Sequence, residues 1–439
     1  MLKPMKRAQA RKREAQSPKL KRTPEVLAPI QRPWMALKLG RRNFLGAWSL
    51  ELGTCSLLLV LGLSCFAQPH VPARDDEVLE RIPVGLSSAA LRRQRAELAE
   101  DPDNLRDSLA LARGYLATAE SEGDPRYLGY AQAMLTPWWS QPAPPAEVLL
   151  LRAVLRSAQR EHAAALRDLE LLLERDPGSG AGWTTRAALR LATADYPGAR
   201  RDLASAVGKA PALQLATLGV QLDSLTGQAG PAAERLARTL AEQPDAPPEL
   251  RQTARLTLAE ILARLGRAEE ARRRFEEALA ADTRHVGLLA AWADFELAAG
   301  RPQAVVRRLT AETAAEALLL RLVLAQQALG PRDDAEAVAP AARTPALAAR
   351  FEARQRRGEP PPRGEARLAL HLLGQPAEAL RLAAAHWQLQ RAPADARLLA
   401  EAALAARDPA AARPAVEWFT ANRVEDVGME GLVARLGER

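Results

Sequence analysis

The sequence predicts an all-α protein, a right-handed α-solenoid of stacked helical hairpins preceded by a disordered basic leader and a short apolar signal segment. Three observations predict it. Ala153, Ala165 and Pro177 return as Ala187, Ala199 and Pro211, each 34 positions on, and a fixed period of this size marks a stacked repeat array. Hydrophobic residues are 48% of the chain and aromatics only 4%; the excess is Ala and Leu, which with Arg and Glu are strong helix formers. Finally, 439 residues exceed the ~250–300 at which a single core stops growing, so the chain must divide or stack.

The net charge of +8 divides unevenly. Residues 1–67 carry 13 Lys/Arg and 3 acids, and the remainder carries 48 basic against 50 acidic residues. The basic character therefore belongs to the leader, and the body lacks the balance expected of a nucleic-acid-binding domain. Both cysteines, Cys55 and Cys65, also lie in the leader, so the body can hold neither a disulfide framework nor a thiolate metal site.

The leader reads as two parts: a basic stretch over 1–50, disordered by composition, and an apolar segment over 51–67. The run 55–66 is too short for a membrane span of ~20 residues and suits a signal-peptide core. Ala67, two residues after Cys65, offers cleavage before Gln68, and Met35 would give the basic flank an ordinary length. Arg41-Arg42-Asn43-Phe44-Leu45 is similar to a twin-arginine export signal, although an ordinary basic flank that happens to contain Phe-Leu is the preferred reading. The expected location is periplasmic or otherwise extracytoplasmic. The alternative is an inner-membrane anchor over the uncharged residues 52–73, in which case membrane contact runs only through the uncleaved segment.

After a linker and lead-in helix over 68–99, the repeats run over 100–420, and 421–439 forms a tail or capping helix. The clearest unit is 252–285. Its first helix carries Leu256, Ala259 and Leu262 on one face and ends at Gly266, since glycine suits the left-handed helix terminus. Its second carries Ala271, Phe275, Ala278 and Leu279 at i, i+4, i+7 and i+8. Related patterns occupy 103–136, 146–179, 180–213, 213–246, 286–319, about 316–340, about 360–393 and 394–420. Small alanines let paired helices approach closely, and no single hairpin can bury its own apolar face.

The run Gly266-Arg267-Ala268-Glu269-Glu270-Ala271 with Phe275 and Ala278, repeated as Trp183, Ala187, Ala199, Leu203, Ala206 and Pro211, resembles the tetratricopeptide (TPR) repeat family. The departures are Thr283 in place of Pro, Arg152 and Arg186 where Leu is common, and Pro-rich interruptions at 137–145 and 357–364. The resemblance implies a superhelix whose inner surface binds a segment of another protein. It places groove positions on the first helix of each unit, which gives Glu147, Thr184, Gln214, Thr217, Gln221, Ser224, Thr253, Glu260 and Asp294. TPR domains that grip acidic C-terminal peptides use a basic carboxylate clamp there. These positions are mixed, small and nearly free of Lys and Arg, so they favour a neutral, basic or apolar partner segment.

No catalytic constellation stands out. The five histidines are scattered, Gly178-Ser179-Gly180 lacks the rest of a phosphate loop, and Asp333-Asp334 suits a helix start. No cofactor and no metal are expected. Trp138 and Trp139 either pack on the helix near 148–155 or stand out as an aromatic anchor for a partner. The expected function is non-catalytic protein binding in assembly or regulation of an envelope complex. An accessory role in metal or cofactor maturation and a structural spacer are the alternatives.

Overall fold

The computed structural model describes residues 86–281, 284–311, 314–330 and 338–438. The leader, its cleavage site, the 52–73 alternative and Asp333-Asp334 lie outside the described residues. Among those described there is no strand. A lead-in helix, α1 (Leu86–Leu98), is followed by α2 (Leu105–Glu122) and α3 (Arg126–Met134), the first hairpin. A single turn, α4 (Thr136–Trp139), precedes the second, α5 (Ala146–Ala158) with α6 (His162–Arg175). Then come α7 (Gly180–Ala192) with α8 (Tyr196–Ala206), α9 (Ala212–Ser224) with α10 (Ala229–Glu242), and α11 (Pro248–Arg264) with α12 (Ala268–Ala281). The array continues through α13 (Val286–Ala298) with α14 (Pro302–Leu309) and α15 (Glu316–Leu329) with α16 (Val338–Arg356). It ends with α17 (Arg363–His371) and α18 (Pro376–Leu389), α19 (Pro393–Ala405) and α20 (Arg413–Ala421), and a last helix, α21 (Val427–Gly437).

The turn inside each of these nine hairpins contains a residue with positive φ: Gly123, Arg160, Ala194, Gly227, Gly266, Gly300, Gly330, Gly374 and Arg407. At the turns other than that of Gly330, whose ψ is 179°, the left-handed residue ends one helix and reverses the chain within a few residues. Glycine adopts it freely, whereas the side chains at Arg160, Ala194 and Arg407 make it costly. The repeated alanines are fully buried, among them Ala153, Ala165, Ala187, Ala199, Ala232, Ala259, Ala271 and Ala278. Without side chains beyond Cβ, the helices come close enough for Leu169, Leu236 and Phe275 to be buried between them.

Arg152 and Arg186, the two departures from the leucine pattern, have a structural cause. Arg152 forms a two-pronged bond with buried Asp168, Nε to Oδ2 at 2.9 Å and Nη2 to Oδ1 at 2.7 Å. Arg156 adds a third at 2.7 Å. Thirty-four residues later the set repeats, with Arg186 and Arg190 on Asp202 at 2.7–3.1 Å. Each triad ties the first helix of its hairpin to the second. Arg152 also donates to the carbonyls of Trp139 and Gln141 at 2.6 and 3.0 Å, which pins the first Pro-rich interruption.

A solenoid is expected to place each hairpin only against its neighbours. Here the turns of the superhelix also touch. The α2–α3 turn meets the start of α13, where a Cβ on Gly123 would lie 2.8 Å from Val286 and where Glu120 is 3.9 Å from His285. Arg160 donates to Gln390, and Arg391 N donates to Ala192 O at 2.9 Å. Trp418 Nε1 donates to the Tyr196 hydroxyl at 3.0 Å, both side chains being buried, and Ala229 N donates to Glu425. The row of hairpin turns is thus a rim on which elements five or six hairpins further on are seated. Leu191, Tyr196, Ala199 and Leu222 share one core with Trp387, Trp418, Val424 and Met429.

Two stability measurements test these contacts. Arg152→Leu strips Asp168 of its main partner and should cost about 3–5 kcal/mol in denaturant unfolding, whereas Arg152→Leu with Asp168→Leu should recover most of the loss. Tyr196→Phe leaves the Trp418 N–H buried without an acceptor and should cost about 1–3 kcal/mol; an unchanged midpoint would mean the bond contributes nothing.

Candidate binding surfaces

The first helices of the hairpins form the inner wall, and the structure places the expected groove residues unevenly along it. Thr184, Thr217 and Ser224 are buried rather than presented, because each hydroxyl bonds back to its own helix: Thr184 to Gly180 O at 3.0 Å, Thr217 to Leu213 O at 2.7 Å, Ser224 to Gln221 O at 2.9 Å. This is the usual resort of Ser and Thr inside helices. Gln214 and Gln221 are half-buried and span adjacent helices, Gln214 to Thr184 and Gln221 to Thr257. Glu147, Thr253 and Glu260 keep exposed side chains, although Thr253 bonds to Glu249 O at 2.9 Å. Trp138 and Trp139 are half-buried against the first hairpin's core, with Arg156 5.4 Å above the Trp139 ring. They pack there instead of projecting as free anchors.

The inner wall is also richer in arginine than the expected positions suggested. Arg264 lies one turn beyond Glu260 on α11, and Arg321, Arg363, Arg367 and Arg397 come from α15, α17 and α19. Asp294 accepts from Arg321 at 2.6 Å and from Arg367 at 2.8 Å. Arg321 is buried and donates further to the carbonyls of Ala290 and Ala317 at 3.0 and 2.8 Å. Burial would raise the Asp294 carboxyl, but the Arg321 and Arg367 guanidiniums outweigh it and hold it well below the usual range. Burial lowers Arg321 to about 10 against the pull of Asp294. Glu260 is exposed yet surrounded by neighbouring protein, and that desolvation pushes its carboxyl up, with Arg264 and Arg363 opposing.

Further along, Asp395 accepts from Arg363 and faces His386 Nε2, both at 3.2 Å, and caps α19 through Ala392 N at 3.1 Å. The other His386 nitrogen faces Pro361 O at 3.1 Å. Asp426 caps α21 and meets Arg397 at 3.2 Å. Much of the inner wall's charge is therefore spent within the chain.

A different concavity remains open, at the seam between superhelical turns. It has a volume of about 1130 Å³. One wall is the α2–α3 turn, α3 and the α5–α6 turn; the other is the end of α16 and the segment that follows. Trp139, from the first Pro-rich interruption, and Pro360 and Pro362, from the second, both border it. The sequence exposed the two interruptions as breaks in register, but only the turn-on-turn seam brings them to one cleft. Among the described residues no three His, Cys, Asp or Glu side chains gather closely enough to hold a metal ion, and no helix is long and apolar enough to cross a membrane.

The nine hairpins define an α-solenoid of tetratricopeptide-like units. No family model and no curated protein sequence matches the chain. Among solved structures it is similar to a tetratricopeptide repeat protein from Parabacteroides merdae, at 15% identity over 54% of this chain and 92% of that one, with a TM-score of 0.39. It is also similar to a chain of the Naa15/Naa10 complex bound to HypK-THB, at 16% identity over 80% of this chain and 62% of that one, TM-score 0.27. The P58(IPK) TPR domain matches at 15% identity over 80% of this chain and 97% of that one, TM-score 0.19.

The Asp294 cluster makes a pH prediction. A carboxyl held lower in the folded than in the unfolded state contributes stability that is complete above its unfolded value, about 3.9, and is lost as pH falls through the folded value. Asp294→Asn should therefore destabilise the protein at neutral pH and flatten the acid limb of stability below about pH 4. An acid limb identical to wild type in chemical unfolding at stepped pH would contradict the assignment.

Proposed function

We propose that the chain is an exported, non-catalytic protein-interaction scaffold that holds a segment of a partner protein in the assembly or regulation of an envelope complex. The observation that supports the binding reading best is the seam cleft. A segment of chain fits a volume of this size, and its walls come from hairpins far apart in sequence, α2–α3 and α5–α6 on one side and the end of α16 on the other. The inner wall, spent largely on its own ion pairs, is the lesser surface, and Glu147, Thr253 and Glu260 are the groove positions left to contribute there. Export is supported by the basic flank, the apolar core over 55–66 and the small residues before Gln68.

Filling the cleft tests the reading. Nothing lies within 4 Å of where a Cβ on Gly129 would point, so Gly129→Trp should occupy the cleft without disturbing the helices. Affinity capture of the full chain from its native cells should recover a partner that Gly129→Trp loses, with the far-ultraviolet helical spectrum unchanged. Equal recovery by the filled variant would sink the cleft as the binding surface, and a mature chain found uncleaved in the cytoplasm would sink export.

A further inference from the structure

The cleft carries one more cation than anions, Arg126, Arg160, Arg350, Arg354 and Arg357 against Asp124, Glu161, Glu316 and Glu359. On the α16 side Glu359 is shared by two guanidiniums, Arg354 at 3.1 Å and Arg357 at 2.6 Å. Glu316 lies 3.8 Å from Arg354, and burial raises its carboxyl, with Arg354 and Arg350 opposing. On the facing wall Asp124 is taken up by Arg126 through Nε at 3.0 and 2.9 Å. Arg160, however, donates to the neutral amide oxygen of Gln390 and not to a carboxylate. Burial lowers its pKa first; Asp395 opposes this, while Arg363 and Arg354 act to lower it further. Arg160 is thus a cleft arginine whose side chain bonds to an amide in place of a carboxylate, beside a concave, partly apolar space. The chain keeps arginine at position 160 although φ there is +68° and six of the nine equivalent turns use glycine.

We propose that this cleft takes an acidic segment of the partner protein, with a Glu or Asp carboxylate held between Arg160 and the Arg354–Arg357 edge of α16. The proposal rests on the scaffold reading and adds the chemistry of the partner. A planar guanidinium on each wall suits two-pronged carboxylate bonding. Trp139, Leu128, Pro360 and Pro362 give apolar footing for neighbouring side chains, and the volume exceeds what a small anion would fill. The preference runs opposite to that of the expected groove positions, because α16 and the α5–α6 turn are not among them.

Three fluorescent peptides of equal length, identical but for Glu, Gln or Lys at alternate positions, distinguish the outcomes by polarisation against the full chain. The Glu peptide should bind, the Gln peptide weakly, the Lys peptide not at all. Arg160→Gln and Arg357→Gln should each weaken the Glu peptide about tenfold or more. Arg357 is well exposed, so its substitution leaves the fold intact even if Arg160→Gln loosens the seam. Arg272→Gln, on α12 away from the cleft, should change nothing. Equal binding of the Glu and Gln peptides, indifference to Arg357→Gln, or displacement by equimolar inorganic phosphate would overturn the acidic-segment assignment. A partner captured from cells and lost with Gly129→Trp, yet unaffected by Arg160→Gln and Arg357→Gln, would leave the scaffold reading standing and remove only this one.

Discussion

The seating of one superhelical turn on another is the constraint that the rest of the structure depends on. A solenoid whose units touch only their neighbours has an inner wall open to any segment of suitable shape. In this chain the hairpin turns at Arg160, Ala194 and Gly227 meet backbone and side chains roughly two hundred residues away, and the Tyr196–Trp418 bond lies inside the contact. The Trp387 and Trp418 rings pack edge to face at 5.5 Å in the same core. Two consequences follow. The inner wall becomes an enclosed, self-paired surface, and the seam creates a cleft that no pair of adjacent hairpins could make.

The sequence carried the local part of this fold clearly. Alanine spacing located the hairpins because close helix approach needs a small residue at set positions, and nearly all those alanines are buried. Gly266 marked a turn, and its counterparts mark most of the others; Arg160, Ala194 and Arg407 hid the same left-handed turn behind side chains that do not announce it. Arg152 and Arg186 looked like faults in a leucine pattern. They were the visible halves of ion triads whose other halves, Asp168 and Asp202, sit sixteen residues on at positions indistinguishable from exposed helix-surface acids.

The candidate site was much less legible. A repeat pattern says which helix faces inward, but not how far the superhelix winds, so it could not show that late hairpins rest on early ones. Thr184, Thr217 and Ser224 read as groove polar groups because their side chains are polar; their hydroxyls are satisfied by carbonyls of their own helix and add little to an interface. The arginines of α15, α17 and α19 were missed because the groove positions were carried only as far as α13. The signal that could have found the cleft was the pair of Pro-rich interruptions, each a departure from the repeat.

The most direct measurement of turn-on-turn seating is hydrogen–deuterium exchange of the full chain before and after Trp418→Ala. If the seam joins the turns into one core, exchange must rise in α7 to α9 as well as in α18 to α21, although the substitution is some two hundred residues from the former in sequence. A rise confined to the substituted hairpin and its sequence neighbours would show that the turns do not share a core and would contradict the account.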